Sequence, residues 1–183
     1  MAFITKAEAK TLLGISDTSQ DTLIETLLPL VKAEIIERTR NSFLVVASQI
    51  VSDTISFAAS SPAVISDSDS GFLDANFYSG CAVKIYGSLL NDGIYEVTTV
   101  AAGSLTLATG ETLVAEAVGE EMTVTRVKWP QDLKLDAAHI INYYLTKQGK
   151  LVTSETLPGG YSVDFKSDSQ VWARLNKWRK PYK

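Results

Sequence analysis

Covalent or acid–base chemistry needs side chains that move protons, attack electrophiles or hold metals, so His139 and Cys81 come first. Each is the only residue of its type in the chain. Any Ser/His/Asp or Cys/His device would have to use His139. Helical spacing sets His139 beside Leu135, Asn142 and Tyr143, off the main apolar stripe of its segment, where a boundary or solvent-facing histidine is expected. Cys81 lies in a strand-like run and reads as a small core residue. A lone cysteine forms no intrachain disulfide and no cysteine-rich metal site. A zinc ion shared by one histidine and one cysteine would need carboxylates for half of its tetrahedron.

The carboxylates add little to this. "DSDSGFLDANFY", from Asp67 to Tyr78, has the Asp67 and Asp69 spacing of a calcium loop. Gly71 then occupies the third ligand position, and Tyr78 stands where the bidentate glutamate belongs. A turn in which Asp and Ser bond their own backbone is the better reading. Glu120 and Glu121 sit in turn sequence with nothing apolar around them to raise a pKa. "LPGGYS" leads into a strand rather than a helix, so it makes no phosphate loop. No catalytic residue, metal or cofactor is expected, and the chain is expected not to be an enzyme.

One charged feature stands out. "RLNKWRKPYK" carries Arg174, Lys177, Arg179, Lys180 and Lys183 with no acidic residue, and Trp172, Trp178 and Tyr182 are interleaved. Three readings are open. A terminal helix can carry cations that suit its own dipole and bury its tryptophans. Alternatively, Trp172, Arg174, Leu175, Trp178, Arg179, Lys180 and Tyr182 form a docking arm, because interfaces concentrate aromatic and arginine anchors. The third reading is contact with nucleic acid.

These residues need elements to position them. Thr5 with Glu8 forms a capping box, and "TKAEAKTLL" closes on Gly14. "SDTSQD" is expected to cap a second helix with Leu23, Ile24, Leu27, Leu28, Val31 and Ile35 on one stripe, bent near Glu25 by Pro29. "WPQDLKLDAAHIINYYLTKQG" gives a third helix, with Leu133, Ala137, Ile140, Ile141 and Tyr144 on its apolar face. After a loop, "KLVTSETLPGG", comes one strand, "YSVDF". A fourth helix, "SDSQVWARLNKW", aligns Val171, Leu175 and Trp178 and ends at Pro181.

From Leu44 the period changes from 3.6 to 2. Ile55 and Phe57 share a face, as do Val83 and Ile85, and Leu105 and Leu107. Met122, Val124 and Arg126 alternate with Thr123, Thr125 and Val127. "YGSLLNDGIYEVTTV" predicts a hairpin turning on Asn91-Asp92-Gly93, residues that tolerate positive φ. Turn clusters separate the runs, so an antiparallel barrel or sandwich is expected. Between Leu44 and Trp129 ten acidic residues face three basic ones, Lys84, Arg126 and Lys128.

Together these readings predict an α+β protein. Residues 1–43 and 129–183 form a small bundle of about four helices and one short strand; residues 44–128 form an inserted β domain. Apolar residues make up 45% and charged residues 21%, which fits a globular chain rather than a disordered one. The net charge of −4 argues against a surface that grips polyanions throughout. The opening lacks a charged start followed by an apolar run, so no signal peptide is expected, and the protein is expected to stay in a cytoplasm-like compartment. "FLVVASQIV", from Phe43 to Val51, is too short to span a bilayer.

"ITKAEAKTLLGISDTSQDTLIETLLPLVKAEIIERT" resembles the opening of the head–tail connector, or adaptor, proteins of long-tailed phages and prophages. "WPQDLKLDAAHIINYYL" followed by "TSETLPGGYSVDF" resembles that family's third helix, Ser-Glu turn and short strand. "GFLDANFYSGCAVKIYGSLLNDGIYEVTTVAAGSLTL" is similar to a β module that recurs in phage structural proteins. The resemblance implies a non-enzymatic virion protein, made in the host cytoplasm, that forms a ring, usually dodecameric, under the portal. Its implied partners are the portal protein, the next neck or tail-completion protein, and other copies of itself. Packaged DNA would pass through the channel without sequence-specific binding, and no membrane is involved. The family's portal-reaching C-terminal segment maps onto "VWARLNKWRKPYK". The large insert departs from simpler members. The other readings are a different virion part (tail-completion, stopper or decoration protein) and a non-enzymatic binding module.

Overall fold

The computed structural model describes residues 3–146, 154–157, 161–164 and 172–181. The chain divides into two compact units, one built on Ser42–Trp129 and one on Phe3–Asn41 with Pro130–Lys183.

The first unit holds seven antiparallel strands: β1 (Leu44–Ser52), β2 (Ile55–Ala58), β3 (Val64–Asp67), β4 (Ala82–Tyr86), β5 (Gly93–Ala101), β6 (Ser104–Leu107) and β7 (Met122–Val127). Their order is β1-β7-β4-β5-β6-β3-β2. The sheet is therefore open, with β1 and β2 at its edges; of the expected barrel or sandwich, a closed barrel does not form. The strand β5 is shared by the two halves of the sheet. Its first part, Gly93–Glu96, pairs with β4, and Val97–Ala101 pairs with β6, with a register shift between Val97 and Thr99. A bulge bends a strand and strengthens its twist. Both halves of the sheet contribute to one core: Ile55, Phe57, Ile65, Leu105 and Leu107 from one, Val83, Ile85, Met122 and Val124 from the other. The period-2 pairs read from the sequence are all buried there.

The β4–β5 connection differs from its expected form. Neither Asn91, Asp92 nor Gly93 has positive φ; that conformation falls on Gly87, at φ 88°. A Cβ at Gly87 would meet the Glu121 carbonyl oxygen at 3.1 Å, so this position requires glycine twice over. Asn91 is instead buried. Its amide donates to the Val114 carbonyl at 3.0 Å and to Glu116 at 2.9 Å, and its Oδ1 accepts from Val114 N–H at 2.8 Å. The side chain acts as a clamp between loops.

The second unit holds α1 (Lys6–Leu13), α2 (Asp21–Thr39), α3 (Gln131–Thr146), the strand pair β8 (Ser154–Leu157) and β9 (Tyr161–Asp164), and a 3-10 helix, Arg174–Trp178. The capping box forms as expected: Thr5 Oγ1 accepts from Glu8 N–H at 3.2 Å, and Thr5 N–H donates to Glu8 at 2.9 Å. Gly14 closes α1 at φ 68°. Residue Gln20 begins α2 without a side-chain cap, contrary to the reading of "SDTSQD", because Asp17 is already engaged by the Ser19 N–H. Pro29 sits on the exposed side of a single helix, where its missing N–H leaves the Glu25 carbonyl to solvent.

α3 packs on α1 and α2, burying Ile24, Leu27, Val31 and Ile35 against Leu133, Ala137, Ile140 and Ile141. Polar links tie α3 to both of the other helices. Lys134 Nζ lies 2.6 Å from Glu8, and the Tyr144 hydroxyl donates to Glu34 at 2.6 Å. Burial and the adjacent Glu34 carboxylate push Tyr144 up to about 12.

Three expectations change here. Among the described residues there are three α-helices, not about four. Of the expected fourth helix, Trp172 and Ala173 are α-helical and Arg174–Trp178 is a five-residue 3-10 helix; Lys180 N–H donates to the Thr39 carbonyl at 2.9 Å, and Asn41 donates to the Trp178 carbonyl at 3.2 Å. "SETL", read as loop, is a strand, and "YSVD" pairs with it from Ser154↔Asp164 to Leu157↔Tyr161. Val171, Phe165, Tyr182 and Lys183 lie outside the described residues.

Candidate interaction surfaces

The basic C-terminal segment is bound to its own helical unit. Leu175 is buried and anchors it, so this residue is core rather than surface. Arg174 Nε lies 3.2 Å from Asp136, and its guanidinium also meets His139 Nδ1. Lys177 reaches Asp132 at 2.9 Å and Asp136 at 3.3 Å. The Asp132 contact raises the Lys177 pKa and holds the Asp132 carboxyl below its usual range. Asp132 and Asp136 are four residues apart on α3, and Arg174 and Lys177 are three apart on the segment, so two short periodicities face each other. That pairing was legible in the spacing of the acids and was missed.

The aromatic residues divide. Trp172 is half-buried under Arg38, whose guanidinium carbon lies 3.9 Å from the ring centroid. Arg38 in turn pairs with Glu34 at 2.8 Å, one turn earlier on α2. Trp178 is half-buried, with Lys177 Nζ 5.0 Å from its ring. Arg179 and Lys180 are exposed. A surface groove runs between the end of α2 and this segment, lined by Glu37, Arg38, Arg40, Trp172, Asn176 and Arg179. Arg40 closes α2 in the left-handed region, at φ 51°. Thus Trp172, Arg174, Trp178, Arg179 and Lys180 come together on one segment, Leu175 turns inward, and Tyr182 lies outside the described residues.

The residues first considered for chemistry are dispersed. Cys81 is buried, and that burial pushes its thiol up, away from the reactive thiolate. His139 sits half-buried on α3 against Arg174. Asp67 is a turn organiser: its Oδ1 accepts from the Thr54 hydroxyl at 2.7 Å and from Asp69 N–H at 3.1 Å, and its Oδ2 accepts from Gly71 N–H at 2.9 Å. Burial pushes the Asp67 carboxyl up, but these donors outweigh it and leave the pKa low. No group of three or more His, Cys, Asp or Glu able to hold a metal occurs among the described residues. None of the described helices is long and apolar enough to cross a membrane.

Residues 4–68 match the family model of the phage gp6-like head-tail connector proteins. The match supports the head–tail connector family. It begins at Ile4, takes in α1 and α2, and continues through β1, β2 and β3. The elements from β4 onward, including α3 and the basic segment, lie outside it. No curated protein matched the sequence. Proteins of this family are phage structural components, generally without catalytic activity.

Proposed function

We propose that this connector is a virion neck protein that seats as a ring on the portal. There it extends the channel for DNA and offers a platform to the next neck or tail-completion protein. The observation that carries the reading is the family match across α1 and α2, the helices that form the base of the helical unit. The β unit, lying in sequence between α2 and α3, is an insertion into the helical core. DNA passes through the ring without sequence-specific contact, and the site of action is the head–tail junction of the virion.

The docking surface is the exposed part of the C-terminal segment, with Arg179 and Lys180 beside the Trp172 and Arg38 groove. Arg174 and Lys177 are already neutralised by Asp132 and Asp136, so they position the segment rather than contact the portal. Binding of the purified chain to purified portal complexes tests this. Deletion from Val171 onward would also remove buried Leu175, so Arg179→Glu with Lys180→Glu is the cleaner variant. Portal binding at least tenfold weaker, in a chain with an unchanged melting curve, supports the assignment. Unchanged binding removes it.

A further inference from the structure

The β unit carries an apolar projection at one end of β4 and a groove lined by Arg126 at the other. The projection is the loop from Gly87 to Asp92. Leu89 is 70% exposed and Leu90 64%, with Tyr86 beside them at 67%. Flexible loops often expose leucines, but this loop is tied down from within. Glu116 accepts from the Ser88 hydroxyl at 2.7 Å, from Leu89 N–H at 2.9 Å and from the Asn91 amide at 2.9 Å. Ser88 Oγ accepts from Asn91 N–H at 2.7 Å, and the Tyr95 hydroxyl donates to the Asn91 carbonyl at 3.1 Å. The loop's polar groups thus turn inward while two leucines point to water. Fixing apolar anchors in advance is what lowers the entropic cost of an interface.

The groove lies near the start of β4. Val45 and Ala47 of β1, Leu73, Phe77, Tyr78 and Arg126 line it. It opens because the β1–β7 ladder skips from Leu44↔Val127 to Gln49↔Thr125, leaving Arg126 opposite a bulge. Arg126 continues the inward-facing row of Met122 and Val124, so its side chain emerges at the rim of the core. Its guanidinium carbon stands 5.0 Å from the Tyr78 ring centroid, and its Nε is buried without a hydrogen-bond partner. No carboxylate pairs with it among the described residues. A buried, unpaired donor on a cation carries a desolvation cost that an incoming anion would relieve.

From these two features we infer that the β unit associates head to tail with a second copy of itself, the Leu89–Leu90 projection of one copy entering the Arg126 groove of the next. Asp92, exposed beside the leucines, supplies the carboxylate for Arg126. The strand fixes the geometry. Tyr86, at the end of β4, pairs with Thr123, whereas Val83, near its start, pairs with Arg126. These two positions are thus roughly 10 Å apart along one strand, with the Leu89–Leu90 loop beyond Tyr86, so no copy's projection enters its own groove. Different patches meeting between identical copies make a heterologous contact, which propagates into a closed ring or an open filament. The inference deepens the ring reading, but it needs neither the portal nor the helical unit's own contacts.

Two variants of the full chain test it: Leu89→Ser with Leu90→Ser, which keeps the groove, and Arg126→Glu, which keeps the projection. Sedimentation velocity over a rising concentration series, at low salt, reads their assembly. The wild-type chain self-associates, and each variant alone does so at least tenfold more weakly. An equal mixture of the two forms a two-chain complex and nothing larger, because only one productive contact remains. That rescue also shows that both variants are folded. A wild-type chain that stays monomeric at its solubility limit, or a mixture that stays monomeric, overturns the inference. Portal binding by a chain that fails this test would leave the neck assignment intact and move the ring contacts elsewhere.

Discussion

Asp136 of α3 is buried, yet it holds Arg174 Nε at 3.2 Å and Lys177 Nζ at 3.3 Å. A carboxylate in that position is stabilised only while the C-terminal segment is docked. Replacement by Asn removes charge-assisted contacts to both cations and is expected to cost about 2 kcal/mol. The urea midpoint of Asp136→Asn should fall at constant m, and proteases should cut the basic segment sooner. Asp132→Asn, at an exposed partner of the same lysine, should shift the midpoint far less. Equal effects at both positions would contradict the placement of the segment.

Asn91 separates two accounts of the β4–β5 loop. A residue needing positive φ would tolerate Gly, or gain from it. A buried clamp would not. Asn91→Gly strands the Val114 N–H and carbonyl and takes one of three donors from Glu116, so a loss of about 2 kcal/mol is expected in thermal or urea unfolding.

Asp67 predicts an acid-side weakness of the β unit. Its carboxyl is held low in the native state by Thr54, Gly71 and Asp69 donors, despite burial. The unfolded chain therefore binds the proton more readily, and native stability rises with pH across the interval between the two values. The contribution is full above the unfolded carboxylate value, about 3.9, and is lost as pH falls through the depressed native one. Asp67→Asn should lower the urea midpoint at neutral pH and flatten its decline in acid. A parallel decline in wild type and variant would show that other groups set the acid limit.

Arg38 over Trp172 is a contact that sequence separation hid, since its partners lie on α2 and on the C-terminal segment. Arg38→Ala should cost about 1 kcal/mol, cation–π and packing together. Quenching of tryptophan fluorescence by acrylamide should rise, as the indole face loses its cover. Arg38→Lys should recover only part of the loss, because an ammonium does not stack.

Local signals were readable; signals that depend on distant partners were not. Thr5, Glu8 and Gly14 are governed by neighbours within a turn, and α1 forms as they predict. Strand faces such as Val83 and Ile85 follow a period of 2, which burial enforces on any sheet. Closure of the sheet could not be read, because it depends on whether β5 bends at Val97 and on where β1 and β2 end. Asn91 was misread because turn propensity scores a residue alone, while its amide finds Val114 and Glu116 over twenty residues away. The basic segment was read as one helix; its Arg174–Trp178 part is 3-10, while Trp172 and Ala173 are α-helical. Its charges were visible, and the matching spacing of Asp132 and Asp136 on α3 was readable but not used. What this leaves for docking is smaller than the full string of cations and centres on Arg179 and Lys180.

Electron microscopy of purified portal complexes saturated with the full-length chain tests the central claim most directly. The account predicts a ring of copies seated on the portal around the channel axis, with density for Trp172–Lys180 at the contact. A portal that remains bare at saturating chain, or copies bound singly with that segment turned away, would contradict it.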